Sequence, residues 1–137
     1  MELLRTAIIV DKNLSPGQVG NVAAILMGQV ARLMDDLFNS EPPVDLDGVT
    51  HAAIQFSTVV LTARSGQLST ASTELSAREN LCVVAFTEVG QGLNNAYSEY
   101  STLILQGHTT ELRPVGLAVS GKDEDVRAVT KKFSLLS

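Results

Sequence analysis

The sequence predicts a single α/β domain in which strands and helices alternate, and three observations carry that reading. Apolar runs rich in β-branched residues, such as "LLRTAIIV" (residues 3–10) and "LCVVAF" (81–86), alternate with segments whose apolar residues recur at helical period. At 137 residues the chain has the length of one domain, residues 1–137, and can bury a core without disulfides or metals. Apolar residues make up 45% and charged residues 18%, a balance that fits neither a disordered chain nor a membrane-spanning one.

The first strand is expected over residues 3–10. Asn13 or Ser15 then caps a helix expected over residues 16–38, with Pro16 in its first turn. Val19, Val22, Ala23, Leu26, Val30, Leu33, Met34 and Leu37 follow the stripe of a buried helix face, and Ala24, Ile25 and Met27 cover the other sides of its first half. A helix apolar all round is buried on more than one side, so this half belongs in the centre of the fold or in a subunit interface, and a homodimer is expected. Gly20 and Gly28 each cost helix propensity, about 1 kcal/mol relative to alanine, and close packing against a neighbour is the expected return.

"NSEPPVDLDG" (39–48), with two prolines and three carboxylates, reads as an exposed loop. A second strand lies within residues 50–63. "SGQLSTASTELSAREN" (65–80) places Leu68, Ala71, Leu75 and Arg78 at helical spacing among six Ser/Thr residues, which predicts a surface helix with a thin apolar stripe. Residues 81–89 are apolar for their first six residues, as expected of a central strand buried on both faces. Residues 90–107 put Leu93, Ala96, Tyr97, Tyr100, Leu103 and Ile104 on one stripe and predict the clearest amphipathic helix in the chain. Residues 112–121 form the fourth strand, with Pro114 pushing that end toward an edge or a strand start. A last helix over residues 122–133 opens on Asp123, Glu124 and Asp125 and closes on Lys131 and Lys132, an order that matches the helix macrodipole.

Charge and composition narrow the partners. With four lysines, six arginines and a net charge of −5, the chain lacks the broad basic face that phosphate neutralisation demands, so no nucleic-acid partner is expected. The longest apolar stretch, residues 22–27, is far short of the roughly 20 residues of a membrane span, and the N-terminus has no cleavage-type pattern, so a cytoplasmic protein with no membrane partner is expected. Cys82 lies within an apolar run and reads as a small buried hydrophobe.

No cofactor or metal is expected either. "GLAVSGK" (116–122) matches seven positions of a phosphate-binding loop, but Leu117, Ala118 and Val119 look like strand and Asp123 stands where the Mg²⁺-binding hydroxyl belongs. "GQGLNN" (90–95) follows a strand and opens a helix, yet Asn95 replaces the third glycine of a dinucleotide fingerprint. His51 and His108 have no paired spacing for zinc, and there is no G-x-S-x-G elbow.

One junction remains. Asp11 and Lys12 end the first strand where α/β folds place ligand sites, outside the carboxyl ends of strands, and Lys12 is the only lysine before residue 122. Thr87, Glu88 and Gln91 end the third strand and can share that edge. A helix N-terminus there offers free N–H groups and Lys12 a full charge, which suits a small anionic or carbonyl ligand.

"AIIVDKNLSPGQVGNVAAIL", "VVAFTEVGQ" with "YSEYSTLI", and "LRPVGLAVSGKDEDVRAVTKKFSLL" together resemble the bacterial family known as domain of unknown function number two thousand, a relative of the archaeal-type (type 2) peptidyl-tRNA hydrolases. The resemblance covers nearly the whole chain in order. It implies a three-layer α/β/α sandwich around a mixed sheet of four strands, as in those hydrolases. Their helix begins lysine, apolar, alanine, alanine, glutamine, with a histidine shortly after. Here Asn21 replaces the lysine, Ile25 the glutamine and Gly28 the histidine, and "FTEVGQ" lacks the arginine of the second hydrolase motif. Asn21 thereby joins the candidate ligand-binding residues. The expected function is a small-ligand-binding or regulatory domain that has lost the hydrolase residues. The alternative is a hydrolase that uses Lys12, Asp11 and Glu88 on a small ester or amide.

Overall fold

Strand β1 (Leu4–Asp11) sets the layering through its alternation: Ala7 and Ile9 turn to one core, Ile8 and Val10 to another, and all four are buried. A computed structural model describes residues 2–136 of the chain. After β1 come α1 (Pro16–Leu33), β2 (Ser57–Ala63), α2 (Ser65–Ser76), β3 (Leu81–Thr87), α3 (Glu88–Gln91), α4 (Tyr97–Gln106), α5 (Thr109–Leu112), β4 (Pro114–Lys122), α6 (Asp123–Thr130) and β5 (Ser134–Leu135). They build a mixed α/β fold around a single open sheet in the order β3-β4-β1-β2-β5. β1 and β2 are parallel, whereas β4 runs antiparallel to both β1 and β3, and β5 antiparallel to β2.

Three layers result. Val22, Leu26 and Val30 of α1 pack with Leu37 and Phe86 on Ile8, Val10 and Ala118. On the other face Leu68, Ala71 and Leu75 of α2, Val126 of α6 and Phe133 cover Ala7, Ile9, Leu117 and Val119. The expected alternation is therefore present, and several points differ.

The sheet has five strands, not four. After α6 the chain does not stay helical to residue 133; Phe133 drops into the core and the next two residues pair with Leu61 and Thr62. Strand β3 is not central but forms a sheet edge, paired only to β4, with Ala85 exposed. Its apolar run reflects the two helices, α1 and α2, that pack against it, and that cover is the same at an edge as at the centre. The middle strand is β1, and β4 lies inside the sheet between β3 and β1, buried from Pro114 to Gly121, with Pro114 at its start.

Helix α1 stops at Leu33, because Met34 turns to extended backbone and Asp35 and Asp36 would place two negative charges at a helix C-terminus. Its start is a capping box: the Ser15 hydroxyl accepts the Gln18 N–H at 3.3 Å, and the Gln18 side chain accepts the Ser15 N–H at 2.9 Å. The glycines of α1 do not serve close packing within the chain, since a Cβ at Gly20 or Gly28 would meet nothing within 4 Å. Close approach occurs instead at Gly116 of β4, where a Cβ would lie 2.5 Å from Val22 and 2.8 Å from Leu26.

Finally, residues 90–107 are not one helix. Asn95 takes the left-handed conformation (φ 64°) and separates α3 from α4, and α4 buries none of its residues: Tyr97 is 77% exposed and Leu103 42%. The loop at residues 39–50 is exposed as expected. His51, just past its end, and then the N–H groups of Val49 and Asp47 hydrogen-bond Asp45 and hold its carboxyl below the usual carboxylate range.

Candidate functional site

β1 ends at Asp11 beside Ala63, the last residue of β2, and β3 ends at Thr87 beside Pro114, the first of β4, so all four meet at one end of the sheet. A groove of about 750 Å³ opens there. One wall is the outer side of α2: Ser65, Gly66, Ser69, Thr70, Thr73 and Glu74. Glu88, Thr110, Arg113, Pro114 and Val115 form the other, and Asp11 stands at the strand end.

Arg113 shapes that second wall. Its backbone is left-handed (φ 58°), a conformation that costs a non-glycine residue about 1–2 kcal/mol. In return its carbonyl accepts the Glu88 N–H at 2.9 Å, and its guanidinium lies 3.7 Å from the Glu88 carboxylate. Strain of this kind concentrates at functional sites.

Of the six residues singled out at this edge or by the helix motif, Asp11 and Glu88 line the groove, and the other four do not. The Asp11 carboxylate accepts the Asn13 N–H at 2.9 Å and so orders the turn into α1. The Lys12 N–H donates to the Ala63 carbonyl at 2.9 Å, while its exposed side chain makes no ion pair among the described residues. Thr87 is buried, and its hydroxyl accepts the Gly90 N–H at 3.4 Å, which starts α3. Gln91 ends that short helix, where it is half-buried. Asn21 is exposed on α1.

The residues that sequence reasoning missed are the hydroxyls of α2, with Glu74, Thr110 and Arg113. A signal for the first group was present: Ser65, Ser69 and Thr73 recur every four residues, which puts them on one helix face. None was present for Arg113, which only the packing of α5 against α2 brings into place.

No curated protein matches the chain by sequence. A solved structure of a protein of unknown function from Agrobacterium tumefaciens strain C58 is similar over 100% of both chains, with a TM-score of 0.83 at 19% sequence identity, a likeness of fold alone. The pattern of the family described as protein of unknown function DUF2000 matches residues 4–137. The chain belongs to the DUF2000 family.

This DUF2000 protein has a second cavity, of about 770 Å³, between α1, β3 and the start of α4. Ile25, Leu33, Val84, Leu93, Tyr97 and Tyr100 make it apolar, Gln29, Asn94 and Asn95 add amides, and no charged side chain lines it. The two cavities thus differ in chemistry: one is rich in hydroxyls and carboxylates, the other uncharged. Among the described residues no group of three His, Cys, Asp or Glu side chains is placed to hold a metal ion, and no helix is long and apolar enough to cross a membrane.

Proposed function

We propose that this DUF2000 protein is a small-ligand-binding domain that takes, in the groove at the strand ends, a polar molecule carrying an ammonium group and several hydrogen-bonding groups. One observation carries the reading: Arg113, the one cation lining the groove, is faced by Glu88, which leaves the carboxylates of Asp11 and Glu74 without a cationic neighbour among the lining residues. Five hydroxyls, those of Ser65, Ser69, Thr70, Thr73 and Thr110, supply donors and acceptors around them. An anionic ligand finds less support, because Lys12 stands outside the lining.

The resemblance to type 2 peptidyl-tRNA hydrolases supports a shared ancestral layering without shared chemistry. Asn21 and Gly28, which replace the hydrolase lysine and histidine, are exposed on α1 rather than in the groove. Hydrolysis through Lys12, Asp11 and Glu88 has equally little support, since Lys12 does not join the two carboxylates in the groove, and neither His nor Cys lines it to serve as base or nucleophile. A binder of small polar metabolites fits the bacterial cytoplasm, where the lone thiol of Cys82 stays reduced.

Thermal-shift and calorimetric titration against matched panels of amines, amino alcohols, amino acids and carboxylates tests the proposal. Ammonium-bearing members should bind, Asp11→Asn and Glu74→Gln should each weaken them about ten- to a hundredfold, and Lys12→Ala should leave them unchanged. Selective binding of carboxylates that Lys12→Ala abolishes, or turnover of a chromogenic ester well above buffer, overturns it.

A further inference from the structure

We infer that the outer face of α1, with the apolar cavity mouth beside it, pairs with the same face of a second copy of this chain, the two helices antiparallel about a twofold axis at Ala24. A solvated helix face normally carries charged residues. Over its 18 residues α1 has one, Arg32 near its end. Gly20, Asn21, Ala24 and Gly28 are exposed, and Ile25 and Leu33 leave 40% and 59% of their surfaces open where the helix borders the cavity. That is a face fitted to exclude water rather than to meet it.

Charge selects the second copy as the occupant. Lys12 stands just before α1, and Asp35 and Asp36 just after it. All three are exposed, and none has an ion-pair partner among the described residues. Antiparallel pairing lays the start of each helix beside the end of the other, so Lys12 of one copy meets the Asp35–Asp36 end of the second, twice over. It also opposes the two helix dipoles favourably.

Symmetry agrees with charge. In a twofold contact residue i meets residue j and j meets i. Gly20 and Gly28 are equally spaced about Ala24, which lies at the middle of the helix. The axis therefore sets Gly20 against Gly28 of the second copy and Ala24 against its own equivalent, and the two backbones can approach with only the Ala24 methyl groups between them. Ile25 of each copy then covers the apolar flank of the other.

The test is the mass of the full chain in solution, read by sedimentation equilibrium at low and high salt. Twice 14.6 kDa is expected at micromolar concentration. Gly28→Arg should yield a folded monomer, since a Cβ there meets nothing within 4 Å in the chain itself, and far-UV circular dichroism checks the fold. Lys12→Glu should raise the dissociation constant about tenfold or more, and adding Asp35→Lys and Asp36→Lys to it should restore the dimer. A 14.6 kDa species at every concentration up to about 100 µM, a range in which specific dimers of this kind associate, overturns the inference. So does a dimer that survives Gly28→Arg, which would move the contact to another surface such as the β3 edge, or a charge-swapped chain that fails to re-associate.

Discussion

Gly116 and Gly20 would each gain one methyl group on substitution by alanine, and their surroundings give that methyl opposite values. At Gly116 it would enter space already filled by Val22 and Leu26, where α1 lies against β4. Overpacking a core in this way costs about 1–3 kcal/mol. At Gly20, on the outer side of α1, it meets nothing within the chain itself, so in a monomer it only restricts the unfolded chain, a gain of about 0.5–1 kcal/mol. In the Gly28→Arg background, which keeps the chain monomeric, urea unfolding should therefore move the midpoint down for Gly116→Ala and up for Gly20→Ala. The reverse order would mean that α1 does not rest on β4 as described. In the sequence the helix glycines invite the close-packing reading and Gly116 only opens an accidental phosphate-loop match, because steric need is a property of neighbours that are distant in the chain.

Among the elements, α4 shows how far period and burial can part. Its apolar residues recur as an amphipathic helix should, yet none is buried, and the left-handed Asn95 cuts it from the residues that were to continue it. Its tie to the rest of the described chain runs mainly through the short α3. Helices held by few buried contacts open locally at low free energy. Amide exchange in α4 should then be at least about a hundredfold faster than in α1 around Val22, Leu26 and Val30, a difference of roughly 2.7 kcal/mol in opening free energy. Equal protection in the two helices would mean that the exposed Tyr97, Leu103 and Leu105 are covered in solution. By contrast the start of α1 was legible to within two candidate caps, Asn13 and Ser15, because a cap such as the Ser15–Gln18 pair acts within four residues of chain.

For the molecule as a whole the governing quantity is charge. A net charge of −5 is spread over both ends of the chain, with ten basic residues against fifteen acidic ones. Binding of nucleic acid draws most of its affinity from phosphates neutralised by Lys and Arg, and no basic side chain but Arg113 lines either large cavity. Labelled tRNA should therefore show no anisotropy change with this protein at physiological salt, and peptidyl-tRNA should release no peptide above the buffer rate. Release that saturates with substrate would restore the hydrolase reading despite Asn21, Ile25 and Gly28.

The sequence by itself determined where β1, β2, β3 and β4 run, that helices separate them, and that Pro114 belongs at an edge or a strand start, because the side-chain periods of 2 and 3.6 record locally which face of each element is covered. Even the end of the sheet where the groove opens followed from strand direction, and Asp11 and Glu88 are among its lining residues. Tertiary structure alone decided that β3 is an edge, that β5 completes the sheet beside β2, and that Arg113 and the hydroxyl face of α2 enclose the groove with those carboxylates. Pairing partners lie far apart in the chain, Thr62 with Ser134 and Leu81 with Gly121, and a pattern of burial along one strand is the same whichever neighbour provides the hydrogen bonds.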